Sequence, residues 1–314
     1  MTALTDAAPT DLAAPWGGTS RFAGLFGPVH WVDFGGPDEG TGGPPVVLVH
    51  GLGGSHLNWV GIGSALARNH RVVAIDLAGF GLTPAHGRST SVRANADLLG
   101  RFVREVIGEP VVLVGNSMGG MISLLLAGHH PELVSALVLL DPALPTPNQR
   151  PDRQVLVEFM IYATPVVGEA YLARATKRYT DRQRVMSTVA ICFAEPSRAD
   201  AEVIDADIAL TAYRRTQPGP EKAFLGAARS LVKVLRSGGR YSAHIRGIDQ
   251  PVLLIHGELD KLVPVAAARV TAAENPSWQT EFLPGVGHTP QLERPDLVLA
   301  RLVPWLCDLP ADRL

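Results

Sequence analysis

Short, uninterrupted aliphatic runs recur along this chain, and they constrain its fold more than any other feature. They are 46–49 (VVLV), 71–75 (RVVAI), 111–114 (VVLV), 134–140 (VSALVLL) and 251–255 (PVLLI). A strand with one wet face alternates apolar and polar residues, so a run without alternation is buried on both faces. Each run stops at glycines or polar residues, as in His50-Gly51-Leu52-Gly53-Gly54 and His256-Gly257-Glu258-Leu259-Asp260. Segments 59–68, 92–107 and 121–127 between them carry helical spacing. Weaker strands are expected at 29–34 and 279–283, and helices at 266–273 and 295–305. Strands that alternate with helices in this way predict an α/β fold with a mostly parallel central sheet covered by helices on both faces.

The alternation stops after Asp141-Pro142. From about 144 to 246 no buried run occurs, and helix-like pieces cover 154–162, 168–179, 181–193, 199–211 and 221–235. The expected organisation is a core over 21–143 and 247–314, interrupted by a helical cap over 144–246. Residues 1–20, rich in Ala, Pro and Thr, are expected to form a flexible arm. Among 314 residues 46% are hydrophobic and 18% charged, ample for a large core, and a net charge of −2 gives no electrostatic case for a nucleic-acid partner. Two cysteines are too few for a disulfide framework, and no apolar run approaches the length of a membrane span. The start of the chain lacks the basic and apolar regions of a signal peptide, so a cytoplasmic location is expected.

The run at 111–114 ends in Gly115-Asn116-Ser117-Met118-Gly119, with a helix-like segment directly after it. A strand turning sharply into a helix would present the Ser117 hydroxyl beyond the end of the sheet. Gly115 and Gly119 would let the two elements meet around it. A serine hydroxyl is a weak nucleophile and needs a base, which in turn needs an orienting acid. Parallel strands bring their carboxyl ends to one edge, so candidates for both are sought there. Of ten histidines, His288 follows the last strand, between Gly287 and Thr289-Pro290. Asp260, one strand earlier, is the better placed acid; Asp141, also at a strand end, is the alternative. The developing oxyanion would need backbone N–H donors. Met118 follows the nucleophile and Leu52 lies in the Gly-rich loop after the first buried run. His56 and Asn116 are candidates to line the pocket. Neither a dinucleotide fingerprint nor a phosphate-binding loop pattern is present, and the motifs call for no cofactor or metal.

These motifs, with Asp76-Leu77-Ala78-Gly79-Phe80-Gly81 and Gly287-His288-Thr289-Pro290-Gln291-Leu292-Glu293-Arg294-Pro295, resemble those of the α/β-hydrolase superfamily in order and span. The resemblance implies a triad of Ser117, Asp260 and His288 acting without a cofactor on a small-molecule apolar substrate. It implies an esterase of small to medium apolar acids. Asn116-Ser117-Met118 is also similar to the meta-cleavage-product hydrolases, which split carbon–carbon bonds, although those enzymes follow the histidine with Trp where this chain has Thr289. A ligand-binding receptor on the same scaffold is the alternative from outside catalysis. Apolar cap residues (Phe159, Met160, Ile161, Tyr162, Val166, Val167) suit an apolar acyl group.

Overall fold

The computed structural model describes residues 8–38, 42–145, 152–237 and 239–309. Eight strands form one sheet: β1 (Thr19–Gly24), β2 (Pro28–Gly35), β3 (Gly43–Val49), β4 (His70–Ile75), β5 (Val111–Asn116), β6 (Val134–Leu140), β7 (Val252–Gly257) and β8 (Gln279–Leu283). Their spatial order is β1-β2-β4-β3-β5-β6-β7-β8. The pairs β1–β2 and β2–β4 are antiparallel and all others parallel.

The absence of alternation in the central runs has its cause in two cores, one on each face. Val47, Val49, Leu113, Leu137 and Leu254 point to one face, against helices α2 (Val92–Phe102), α3 (Met118–His129) and α10 (Val265–Glu274). Val46, Leu48, Val112, Val114, Val138 and Ile255 point to the other, against α1 (Gly63–Leu66) and α12 (Pro295–Cys307). Each central strand residue is withdrawn from water, and an aliphatic side chain contributes about 1.5–3 kcal/mol on full burial.

Between β6 and β7 the described residues contain helices and no strand: α4 (Arg153–Ala163), α5 (Val167–Arg178), α6 (Asp181–Cys192), α7 (Ala201–Thr216), α8 (Pro220–Leu235) and α9 (Arg240–Arg246). A short helix α11 (Pro290–Glu293) precedes α12. No single helix among the described residues is long and apolar enough to cross a membrane.

Two expectations differ from the structure. The helix expected over 59–68 is a 3-10 turn (His56–Trp59) followed by the short α1. The flexible arm expected over 1–20 is also changed, although 1–7 lie outside the described residues. Ala13 is buried in the core beside Val32 and Phe34, the Ser64 hydroxyl donates to Trp16 O, and Thr19 and Ser20 already belong to β1. β1 is an edge strand with mostly exposed side chains, held by backbone pairing to β2, so its residues carry little apolar signal.

Candidate active site

The carboxyl ends of β3 to β8 lie along one edge. At the end of β5, Ser117 has φ 54° and ψ −117°, a conformation that costs a non-glycine residue about 1–3 kcal/mol. The surroundings hold it there: Ser117 N–H donates to Leu140 O (3.1 Å), and its carbonyl accepts from Ala143 (3.0 Å) and Met121 (3.2 Å). A Cβ on Gly119 would lie 2.0 Å from Val49 O, and one on Gly115 2.6 Å from Gly119 O, so strand and helix can meet this closely only through glycine.

The loop after β3 passes beside this corner; a Cβ on Gly51 would be 3.1 Å from that of Ser117. His50 fixes the loop. Its Nε2 accepts from Leu77 N–H (3.0 Å), so Nδ1 carries the proton and donates to Gly51 O (2.8 Å). Burial pushes this imidazole down to about 4, which keeps it neutral. Among the described residues, the N–H groups of Leu52 and Met118 donate to no protein group. An N–H at the first helical position has no intrahelical acceptor.

His288 lies at the same edge. Its Nδ1 is 2.7 Å from Asp260 Oδ2, and Asp260 Oδ1 accepts from Leu262 N–H (2.7 Å) and Val263 N–H (3.0 Å). Burial raises the Asp260 carboxyl, but His288, His256 and these donors outweigh it and hold it below the usual carboxylate range. An ionised Asp260 can only accept, so His288 Nδ1 carries the proton and Nε2 is left as acceptor. No hydrogen bond joins Ser117 Oγ to His288 among the described residues; in an unliganded site such contacts are often long.

Asp141 differs from Asp260. It is fully buried, Oδ1 accepts from Gly257 N–H (2.8 Å), and Oδ2 has no partner. A ligand-type atom of Asp141, one of His256 and one of Asp260 lie within 4.8 Å of one another. Burial first, then the charge of Asp260, raises the Asp141 carboxyl well above the usual range. Asp141 is therefore the neutral member of a carboxyl pair and Asp260 the charged one. His256 Nε2 donates to Val263 O (2.9 Å), which fixes that ring rather than freeing it as a base.

The two residues expected to line the pocket have other occupations. Asn116 is buried and donates both amide hydrogens, to Leu140 O (2.9 Å) and His288 O (3.0 Å), so it joins the serine corner to the histidine loop. His56 is buried with Nδ1 2.9 Å from Asp76 Oδ2, and His30 Nδ1 is 2.7 Å from the same oxygen. Asp76 also accepts the N–H groups of His56 and Leu82. Burial raises its carboxyl, but His56 and His30 hold it well below the usual range. The trio has metal-ligand residue types, yet its contacts are of hydrogen-bond length and are satisfied by protons. Of the apolar residues in and between α4 and α5, Phe159, Ile161 and Tyr162 are half-buried, whereas Met160, Val166 and Val167 are exposed.

Three residues were not foreseen. Glu293, buried at the end of α11, accepts from Gly287 N–H (2.8 Å), Ala194 N–H (3.0 Å), Glu195 N–H (3.0 Å) and the Arg198 guanidinium (2.9 Å). An acid at the end of a short helical turn five residues after His288 was the available signal. Cys192 offers only its carbonyl, which accepts His288 N–H (2.6 Å), and a main-chain role leaves no mark on sequence. Its thiol is pushed up to about 12 by burial and is inert. Arg214 of α7 donates to Gly79 O (2.7 Å) and Gly81 O (2.9 Å), tying the helices to the turn after β4.

A family model described as the alpha/beta hydrolase fold matches residues 44–295. Among curated relatives, the chain is 27% identical over 289 residues to the dihydrolipoyllysine-residue acetyltransferase component of the acetoin cleaving system of Pseudomonas putida. That match covers 88% of this chain and 66%, just under two thirds, of the relative. It is 28% identical to 2-hydroxy-6-oxo-6-(2'-aminophenyl)hexa-2,4-dienoic acid hydrolase of Metapseudomonas resinovorans, covering 82% of both chains. It is also 28% identical to pimeloyl-[acyl-carrier protein] methyl ester esterase of Aeromonas hydrophila subsp. hydrophila, covering 81% of this chain and 91% of the esterase. The family match runs from the first central strand past the His288 loop and takes in the strained serine corner, and the chain belongs to the α/β-hydrolase family.

Proposed function

We propose that this hydrolase cleaves carboxylic esters of small to medium apolar acids through an acyl-enzyme on Ser117. The observation that carries the reading is the 2.7 Å contact of His288 Nδ1 with a charged Asp260, at the same sheet edge as the strained Ser117 corner. Ser117 Oγ attacks the ester carbonyl carbon while its proton passes to His288 Nε2. The carbonyl oxygen takes up the negative charge between the free N–H groups of Leu52 and Met118, each contributing about 3 kcal/mol to the transition state. The tetrahedral adduct collapses, the carbon–oxygen bond to the alcohol breaks, and His288 returns the proton to the leaving alkoxide. Water then gives a proton to His288 and its oxygen to the acyl carbon, and collapse restores Ser117 and frees the acid. Asp260 keeps the imidazole in the right tautomer and balances its charge.

The helices between β6 and β7 act in this reading as the cap. Phe224 of α8 reaches the oxyanion loop, where a Cβ on Gly53 would lie 3.3 Å from its ring. Arg214 and the Thr90 hydroxyl, which donates to Ala223 O (2.8 Å), fasten the same helices over the edge. An apolar wall above the nucleophile suits an apolar acyl group.

Stopped-flow turnover of p-nitrophenyl butyrate tests the mechanism. The wild type gives a burst of p-nitrophenol equal to the enzyme present, and Ser117→Ala abolishes the burst and lowers kcat by about 10⁶. Full ester turnover by Ser117→Ala would refute the reading. The Asn116-Ser117-Met118 corner and the Metapseudomonas relative support a second reading, carbon–carbon hydrolysis. A ring-fission diketone preferred over every ester by orders of magnitude in kcat/KM would establish it in place of the first.

A further inference from the structure

The corner between α4 and α5 is an apolar surface held rigidly outward. The two helices meet at 111°. Val166 at the corner is 78% exposed and Met160 61%, and Val157, Val167, Tyr171 and Tyr179 are exposed beside them. Val166 has φ 67°, a left-handed conformation that a β-branched residue adopts only under constraint. The constraint is visible. Arg229 of α8 donates to Tyr162 O (2.9 Å) and grips both oxygens of Glu169 (2.8 and 2.9 Å). Gly168 is buried beneath the corner, where a Cβ would meet Ile161 O at 3.1 Å. The exposed apolar side chains thus stand on a clamped scaffold.

Charge indicates what covers them. Arg153, Arg174, Lys177 and Arg178 are exposed on the same two helices. Of the three acids there, Asp152 caps α4 through Gln154 N–H, Glu158 lines one hollow with Asp152 and Arg153, and Glu169 is paired with Arg229, so the cationic surplus is Arg174, Lys177 and Arg178 toward the end of α5, on a chain of net charge −2. A second copy docked with its two-fold axis at the end of α5 would set Arg174, Lys177 and Arg178 against their own copies. Apolar side chains and aromatic rings bordered by Lys and Arg suit a helix lying in the plane of an anionic lipid surface.

We propose that the α4–α5 corner is a peripheral docking surface for anionic phospholipid bilayers. Met160, Val166 and Val167 enter the acyl boundary, while Arg174, Lys177 and Arg178 meet the headgroup phosphates. The corner also adjoins the candidate site. Tyr162 packs edge-on against Phe224 with ring centroids 5.2 Å apart, and Phe224 lies against Gly53. Two aromatic rings, Tyr162 and Phe224, separate a bilayer at the corner from the oxyanion loop.

Flotation of the full chain with vesicles tests this without reference to turnover. The wild type floats with vesicles of phosphatidylglycerol and phosphatidylcholine in equal parts and stays unbound with phosphatidylcholine alone. The double variant Met160→Glu, Val166→Glu abolishes flotation. Lys177→Ser with Arg178→Ser weakens it about thirtyfold, roughly one tenfold step or less per cation. Both keep wild-type turnover of soluble p-nitrophenyl acetate, which shows that they fold. A wild type that fails to float, or variants that float like the wild type, would overturn the proposal. So would a wild-type dimer in gel filtration that the Glu variants split while no protein binds vesicles.

Discussion

Asp141→Asn tests the assignment of one proton beside the proposed triad. Asp141 and Asp260 hold ligand-type oxygens within 4.8 Å, both buried. Two negative charges at that distance repel by about 3 kcal/mol at an effective dielectric constant of about 20, so one carboxyl keeps its proton. Three N–H donors favour the charge on Asp260, and Asp141 has one. The other ionisable groups acting on the pair, His256, His288 and Glu293, leave that order unchanged. A carboxyl whose folded pKa is raised contributes stability in full below its unfolded pKa and loses it as pH rises through the folded value. Asparagine at 141 keeps the acceptor for Gly257 N–H, offers Asp260 a permanent donor, and does not titrate. From about pH 5 upward the unfolding free energy of the wild type should therefore fall relative to Asp141→Asn by about 1.4 kcal/mol per pH unit, until Asp141 itself ionises. Urea unfolding of both proteins at successive pH values reads this slope from the midpoints. A gap that does not change with pH would mean that Asp141 is charged throughout, and the proton assignment would fail.

Two further substitutions bear on the same edge. Asp260→Asn should lower kcat for p-nitrophenyl butyrate by about 10⁴ with the circular dichroism of the wild type, since the imidazole loses its tautomer and not its place. A loss below tenfold would pass the orienting role to Asp141. Glu293→Gln exchanges a carboxylate that accepts four donors for a group with one acceptor oxygen, and should cost about 3 kcal/mol in urea unfolding. A change under about 0.5 kcal/mol would show that those N–H groups find other acceptors.

The sheet was legible because burial on both faces forces a run of aliphatic residues that nothing else in a globular chain requires. Strands β3 to β7 each lie within about three residues of the runs read from sequence. β1 was illegible because an edge strand is held by main-chain hydrogen bonds, to which Thr, Ser and Arg contribute as well as Val. At the site, the corner glycines were legible because no other residue fits at 2.0 Å from a carbonyl oxygen. The protonation of the pair Asp141 and Asp260 was not. Both end neighbouring strands, and the place of Asp260 one strand before His288 favours it as the acid without showing which carboxyl carries the charge. Only the count of donors around each carboxyl does so, and those donors are main-chain N–H groups that any residue could supply. The hydrogen-bond partners of His56 and Asn116 were illegible for a related reason. Both lie near the corner in sequence, but each turns its polar atoms into the protein, toward Asp76 and toward His288 O.

The histidine loop and the helical insertion form one mechanical unit. His288 N–H donates to Cys192 O at the end of α6, and Glu293 collects Gly287 N–H from one side and Ala194 and Glu195 N–H from the other. Gly287 allows the approach, since a Cβ there would lie 2.4 Å from Cys192 O. Asn116 closes the circuit by donating from the serine corner to His288 O. The position of the imidazole therefore depends on the segment that follows α6 as much as on β8, which delivers it. In the proposed mechanism, a substrate that displaced α6 would displace the base along with the pocket wall. Substitutions at 192–195 should then alter kcat along with KM. In that mechanism specificity and basicity would be coupled through main-chain hydrogen bonds, which a shift of one helix end retunes while the proposed triad stays unchanged.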